Sequence, residues 1–488
     1  MYTHNSRQIG FHDQPHLFGG LPLKEDNRWV KLADLIPWSR VEDEYRKHFS
    51  VNRGEQAKSA RLALGCLIVK EQLQLSDRDT VEMIRENPYI QYFLGYADYQ
   101  YDLSLDASLL THFRKRFPAD VIAQVNQWVV DSKLHPDDDS RDDSGEGGGF
   151  PASAEPSDDS GMNSENHGTL ILDASCAPQD IQYPTDIRLL HESRRKLEEM
   201  MDTLQVGRSQ EKPRNYREKA NKEYHRFSRN RRPSKKQIRT ALRKQLQYVS
   251  RDLRLVFEMQ QDSTATLSDR QLQYLETITH LYEQQQTMYE KRTRRCDDRI
   301  VSIHQPYVRP IVRGKTSAGT EFGAKLTASV VDGYAEVTTL SWDAYNESQD
   351  LVKAAEQYKV RHGRYPERIL ADKIFRTRQN LQYCKEHGIH MNGRPLGRPP
   401  KDTKIYDEQL RLEREESGER NAIEGKFGEG KRRFSLGLIM TKLQATSETQ
   451  IHLVFLVMNL QKILRDLFIL IISNRIFTKR RRLITVYC

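Results

Sequence analysis

The most informative stretch for the fold of this 488-residue chain is Arg420-Asn-Ala-Ile-Glu424-Gly-Lys-Phe-Gly-Glu-Gly-Lys431, near the C-terminus. Residues four apart share a helix face, so Arg420 and Glu424 lie side by side on a helix, and Lys431 follows two turns later on nearly the same face. The stretch therefore predicts a helix that presents one carboxylate between two cations.

Two further acids stand far upstream, each at the end of an apolar, strand-like run. Asp173 ends Thr169-Leu-Ile-Leu172, and Asp372 ends Arg368-Ile-Leu-Ala371. Two Mg²⁺ ions about 4 Å apart can cleave a phosphodiester, and hard cations prefer carboxylate oxygens. Three such acids, with Arg420 and Lys431 beside them to hold phosphates, are the side chains that this chemistry requires.

Each acid also has a simpler structural explanation. An aspartate at a strand end is often a turn residue or a helix cap, and an Arg–Glu pair four residues apart is often a surface ion pair. Asp332 falls in the predicted hairpin turn between two strand-like runs, which explains it without chemistry. The residues alone leave these rivals open: Asp180 and Asp186 for the first position, Asp332 and Asp343 for the second, and Glu419 for the third.

Composition favours an anionic partner and a reducing compartment. The chain has 77 Lys and Arg against 68 Asp and Glu, a formal charge of +9, and its five cysteines form no CxxC pair. Scattered cysteines argue against a zinc site or a disulfide framework. No signal peptide is expected from the polar N-terminus. The most apolar segment, 451–472, contains Lys462, Arg465 and Asp466 and predicts a buried packing helix rather than a membrane span.

The N-terminal part predicts a compact helical module. Asp77 is expected to cap one helix, which stops before Pro88, and Ser104 or Asp106 to cap the next. The module fits a DNA-binding domain or, equally well, a plain bundle used for dimer contacts. The last helix is basic, with three cations predicted to point outward and to contact DNA: Arg114, Lys115 and Arg116.

A second basic region lies between the first two acids. Residues 208–254 hold seventeen Lys or Arg against four acids, which indicates a phosphate-facing surface. Apolar residues recur there at spacings of three and four, Ile238, Leu242, Leu246, Val249, Leu253 and Phe257, and again as Leu275, Ile278, Tyr282 and Tyr289. The pattern predicts a basic helical hairpin inserted after the first strand. Its candidate DNA contacts are Arg229, Arg231, Arg232, Lys235, Lys236 and Arg239.

These patterns divide the chain into four parts. A helical DNA-binding or dimerisation domain is predicted at 28–118, an acidic Gly/Ser-rich linker at 137–166, a catalytic domain at 167–472 with the helical insertion at about 190–300, and a basic tail at 473–488.

Four stretches of the chain resemble bacterial insertion-sequence transposases of the DDE type. Residues 60–71 with 105–117 resemble the InsH-like N-terminal domain, residues 172–186 the first-aspartate strand, and residues 369–375 the second-aspartate strand. Residues 420–431 resemble the Tyr-(2)-Arg-(3)-Glu-(6)-Lys signature, the most specific of the four. Two departures stand out: Ser417 replaces the signature tyrosine, and Ile374-Phe375 replaces the Gly-Tyr that usually follows the second aspartate.

The resemblance implies an α/β, RNase H-like mixed-sheet catalytic core that carries the basic helical insertion and follows an all-α domain. It implies Asp173, Asp372 and Glu424 as the ligands of two Mg²⁺ ions, with Mn²⁺ as an alternative, and Arg420 and Lys431 as further catalytic residues.

It also implies a cytoplasmic, nucleoid-associated bacterial enzyme without a membrane partner, which works as a homodimer on double-stranded DNA. Such an enzyme binds the terminal inverted repeats of its own element, cleaves the ends and joins the 3′-hydroxyl to target DNA. The alternatives are an RNase H-type metal-dependent nuclease that stops after hydrolysis and a catalytically decayed DNA-binding relic.

Overall fold

The computed structural model describes residues 23–49, 57–134, 166–312, 319–394 and 403–486, the last with side chains for 404–469. Apart from residue 166, the predicted linker lies outside these residues. A six-stranded mixed sheet forms the centre of the described chain and helices surround it. The predicted mixed α/β layout is thereby confirmed.

Within the described residues, seven helices precede the sheet: α1 Arg28–Leu35, α2 Trp38–Arg46, α3 Ala60–Leu73, α4 Asp77–Glu86, α5 Pro88–Phe93, α6 Ser108–Arg116 and α7 Ala119–Leu134. The last of them lies beyond the range predicted for the N-terminal domain. Ser76, not Asp77, caps α4, because the Ser76 hydroxyl accepts a hydrogen bond from the Asp79 amide at 3.1 Å. Helix α4 ends at Glu86, before Pro88, as predicted. Pro88 then opens α5 at a position where a helix tolerates proline.

The strands are β1 Thr169–Pro178, β2 Arg309–Val312, β3 Thr320–Val331, β4 Tyr334–Ser341, β5 Arg368–Ala371 and β6 His390–Met391. β1 runs antiparallel to β3 and parallel to β5, and β6 pairs with β5. The predicted hairpin is confirmed: Asp332 and Gly333 join β3 to β4 with φ of 50° and 78°, as a two-residue turn of this kind requires. One prediction is wrong in detail, since Asp173 lies inside β1 rather than at its end.

The remaining helices are α8 Asp186–Gln205, α9 Arg217–Ser228, α10 Lys235–Asp262, α11 Asp269–Glu290, α12 Asp350–His362, α13 Arg378–Glu386, α14 Thr403–Arg433 and α15 Gln444–Val486. The two predicted helices of the insertion are α10 and α11, and α8 and α9 precede them, so the insertion contains four helices. Its own core buries Leu246, Val249 and Leu253 against α8 and α11, as their spacing predicts. Phe257 departs from the predicted apolar face and is 46% exposed, whereas Val256 and Met259 beside it are fully buried.

Two hydrophobic cores cover the two faces of the sheet. One joins Leu170, Leu172 and Ile369 to α12 and α13. The other joins the opposite face to the N-terminal helices and α15. Helix α15 is buried through most of 451–464, as predicted for a packing helix, and it continues to Val486 through most of the basic tail. None of the helices in the described residues is long and apolar enough to cross a membrane.

Candidate active site at the edge of the central sheet

The parallel pairing of β1 with β5 brings two of the predicted acids to one place. Leu172 lies opposite Ala371, so Asp173 and Asp372 are the next residues on neighbouring strands. The Asp173 carboxylate accepts a hydrogen bond from the Ala174 amide at 2.8 Å, and Asp372 accepts one from the Lys373 amide at 2.7 Å. The two side chains therefore stand at the same end of the β1–β5 ladder.

Asn392 fixes the backbone immediately before Asp372. Its side-chain oxygen accepts from the Ala371 amide at 2.9 Å, and its side-chain nitrogen donates to the Ala371 carbonyl at 3.1 Å. The side chain thus extends the β5–β6 pairing by one residue. Sequence reasoning missed it because Asn392-Gly393 looks like an ordinary turn.

Helix α14 supplies the third acid and a cation that links it to the sheet. Arg420 donates to Glu424 at 2.8 Å along the helix and contacts Asp173 Oδ2 at 3.5 Å across to β1. Ile423 and Phe427 are buried in the hydrophobic core and so fix the position of this part of the helix. Lys431 lies in the last turn of α14, half-buried.

The electrostatics of Asp173 reflect all three acids. Burial raises the pKa of the Asp173 carboxyl most, and nearby Asp372 and Glu424 raise it further, while the Ala174 amide and Arg420 oppose them. Three carboxylates that act on one another are the right donors for hard divalent cations. In this arrangement, however, no group of three or more His, Cys, Asp or Glu among the described residues is placed to hold a metal ion.

The rival acids are each engaged elsewhere. Asp332 lies in the hairpin turn, and the other four form ion pairs: Asp180 with Lys442 at 2.7 Å, Asp186 with Arg299 at 2.6 Å, Asp343 with Arg309 at 3.4 Å, and Glu419 with Arg368 at 3.0 Å.

The basic helix α6 does not present all three predicted cations to solvent. Arg114 is largely buried and donates to Asp77, with one of its contacts at 3.0 Å, so its predicted outward orientation is wrong. The Arg116 guanidinium packs over the ring of Phe49 at 4.8 Å. Lys115 is exposed. The apolar pattern of α6 could not reveal this, because Asp77 belongs to α4 and Phe49 follows α2.

The basic residues of the insertion do face solvent. The turn between α9 and α10 and the first turn of α10, here called the basic surface, expose Arg229, Arg231, Arg232, Lys235 and Lys236, and none of the five forms an ion pair with another described residue. Arg239 packs on the ring of Tyr289 at 4.2 Å. A groove of about 770 Å³ adjoins them, lined in part by Phe227, Lys235, Tyr289 and Arg292.

Comparison with known proteins identifies two transposase segments. Residues 369–461 match the family model "Transposase DDE domain", and residues 21–116 match "Transposase domain (DUF772)". The first segment contains Asp372, Arg420, Glu424 and Lys431, whereas Asp173 lies outside it.

One similar protein is the "Uncharacterized protein ORF8 in nfe locus" of Rhizobium meliloti, 31% identical over 160 residues, or 33% of this chain. The chain spans 66% of that protein, just under two thirds of its length. No solved structure matches the chain.

Proposed function

Because the chain belongs to the insertion-sequence transposases of the DDE type, we propose that it binds the terminal inverted repeats of its own element, cleaves the ends and joins the freed 3′-hydroxyl to target DNA. The catalytic acids in this proposal are Asp173, Asp372 and Glu424, in a core of RNase H-like type. The observation that carries it is the Arg420 side chain, which links the acid of α14 to the acid of β1 beside Asp372.

The arrangement of elements supports this choice of acids. β1 and β5 are parallel neighbours, so their acids lie at the same end of the two strands. Helix α14 packs against both strands. Each rival acid is already explained by a turn or an ion pair. We assign the RNase H-like class on this basis: two acids lie at adjacent central strands of a mixed sheet, and the third lies on a helix that packs across them.

Each residue has a distinct role in the proposed reaction. The three carboxylates would hold two Mg²⁺ or Mn²⁺ ions, and these would supply an activated water and neutralise charge on the leaving oxygen. The Arg420 fork binds phosphate oxygens in two places, and Lys431 adds a point charge. Asn392 positions Asp372 through the Ala371 backbone.

DNA binding is assigned mainly to the basic surface of the insertion. Its five exposed cations fit a phosphate backbone, which contributes affinity without sequence information. Recognition of the element ends is then left to the N-terminal helices, and a homodimer would bring two ends together. A chain with such a substrate would reside in the cytoplasm, at the nucleoid.

The first test replaces each acid by its amide. Asp173→Asn, Asp372→Asn and Glu424→Gln should each lower end cleavage in Mg²⁺ by at least about a thousandfold, because metal-held charge stabilisation is removed. Affinity for the ends should change little, since phosphate contacts elsewhere supply it. Cleavage and gel-shift assays on flanking genomic DNA measure the two quantities.

Glu419→Gln is the matched control, since Glu419 lies on the same helix but pairs with Arg368. If Glu424→Gln cleaves normally and Glu419→Gln does not, the third acid is wrongly assigned. Strand transfer of a pre-cut end in Mg²⁺ then separates the alternatives, because a hydrolytic nuclease and a decayed relic both fail to join the end to a target.

A further inference from the structure

Arg420 occupies the space between two of the three proposed metal ligands. Its guanidinium is 2.8 Å from Glu424 Oε1 and 3.5 Å from Asp173 Oδ2, and only 17% of its side chain is exposed. Asp372 has no ion pair with any described residue; its carboxylate accepts from the Lys373 amide instead. The charge of two acids is thus balanced by a residue of the chain itself.

An arginine in this position excludes a divalent cation. The positive charge of the guanidinium repels a second cation at the same carboxylates. Its two contacts also use oxygens that the metal would need. Glu424 is 54% exposed, so its carboxylate is free to turn away from Arg420.

We infer that Arg420 is an internal substitute for the metal ions, which keeps the acids closed to metal until a DNA phosphate draws the arginine away. The inference rests on the proposed function for the identity of the metal ligands, and it adds how that site is regulated. A phosphate is the right competitor because it offers the planar fork two oxygens, as the two carboxylates do.

Coupling of this kind is reciprocal. If DNA raises the affinity for metal by removing Arg420 from the acids, metal must raise the affinity for DNA by the same factor. The free protein then binds metal weakly, and metal ions alone do not assemble an active centre away from DNA.

The test measures Mn²⁺ binding directly, by the decrease of the free-ion electron paramagnetic resonance signal, with and without a short duplex of random sequence. The wild-type chain should bind Mn²⁺ about tenfold more tightly when the duplex is present. Arg420→Gln should bind Mn²⁺ about tenfold more tightly than wild type without DNA, and the duplex should add little.

Two further variants separate the bridging contact from net charge. Arg368→Gln removes an arginine that pairs with the neighbouring Glu419 on the same helix as Arg420, and it should leave Mn²⁺ affinity unchanged. Arg420→Lys keeps the charge but cannot span both carboxylates, so it too should bind Mn²⁺ more tightly than wild type without DNA. If Arg420→Lys equals wild type, or Arg420→Gln does, the inference is overturned.

Asp173→Asn distinguishes this failure from failure of the proposed function. If that variant binds Mn²⁺ as well as wild type does, Asp173 is not a metal ligand and the proposed active site is wrong. If Asp173→Asn no longer binds Mn²⁺ while the Arg420 variants behave as wild type, the proposed active site is supported and only the role inferred for Arg420 is rejected.

Discussion

At the scale of single residues, the least expected side chain is Asp252 in the core of the insertion. It is fully buried, and neither carboxylate oxygen has a hydrogen-bond partner among the described residues. Burial and the nearby Glu198 raise the pKa of Asp252 to about 7, while Arg194, Arg251 and Arg217 oppose that rise. A buried acid of this kind makes the stability of the insertion depend on pH.

The folded chain therefore holds a proton on Asp252 that the unfolded chain releases at about pH 4. The proton on Asp252 stabilises the folded chain fully below about pH 4. As pH rises through about 7 this stabilisation is lost, which lowers the free energy of unfolding by a few kcal/mol. Thermal unfolding should show a midpoint that falls from pH 5 to pH 8, and Asp252→Asn should flatten this fall. Glu276→Gln on the exposed face of α11 should leave it unchanged; an equal flattening by both variants would contradict the assignment to Asp252.

At the scale of elements, the α9–α10 turn concentrates positive charge at the start of a long helix. Ser234 and Gln237 form a capping box that fixes the first turn of α10, directly beside the exposed cations. The positive end of the helix dipole adds to their charge. Salt-sensitive binding of a phosphate backbone is the expected result.

Neutralising all five cations of the basic surface should weaken DNA binding and reduce the slope of log K against log salt by several units, about 0.9 for each phosphate that is no longer neutralised. The weakening should be equal for element ends and random DNA. A control neutralises five exposed cations of α12, α13 and the loop after α12: Lys353, Lys359, Arg364, Arg378 and Lys385. If the slope is unchanged when the basic surface is neutralised, these five cations do not contact DNA phosphates and only keep this surface hydrated. A weakening confined to the element ends would mean that this segment reads bases.

At the scale of the whole molecule, buried polar contacts join the N-terminal helices to the catalytic core. Asn459 of α15 accepts from the Ala335 amide at 2.9 Å and donates to its carbonyl at 2.8 Å, so it covers the edge strand β4. The same side chain donates to Asn126 of α7 at 2.9 Å. Glu71 of α3 accepts two hydrogen bonds from Ser435, just after α14. The N-terminal helices therefore support the elements that carry the proposed active site.

Asn459→Leu should destabilise the protein by on the order of 3 kcal/mol, because it leaves the buried Ala335 amide and the Asn126 side-chain oxygen without partners. Gln461→Leu, two residues along the same helix and half-buried, should cost less than about 1 kcal/mol. Chemical denaturation measures both. Equal losses of unfolding free energy in the two variants would show that the hydrogen bonds of Asn459 contribute nothing specific to stability.

Local pattern alone predicted several elements correctly. Three elements follow from spacing or turn chemistry: the helix of Arg420 and Glu424, the Asp332-Gly333 hairpin and the short strand before Asp372. The packing helix predicted over 451–472 follows from continuous apolar character, and it is buried through most of 451–464. These features depend on residues close together in the chain, so they can be predicted without knowledge of the tertiary structure.

Which side chains remain available for function depends instead on the folded arrangement. Arg114 is a residue type that often contacts DNA, yet it donates a hydrogen bond to Asp77 of another helix. Asn392 looks like a turn residue until β5 lies beside it, and Asp252 looks like a surface acid until α8 covers it. Burial and pairing are set by segments far apart in sequence, and their energies exceed the local preferences that a single sequence displays.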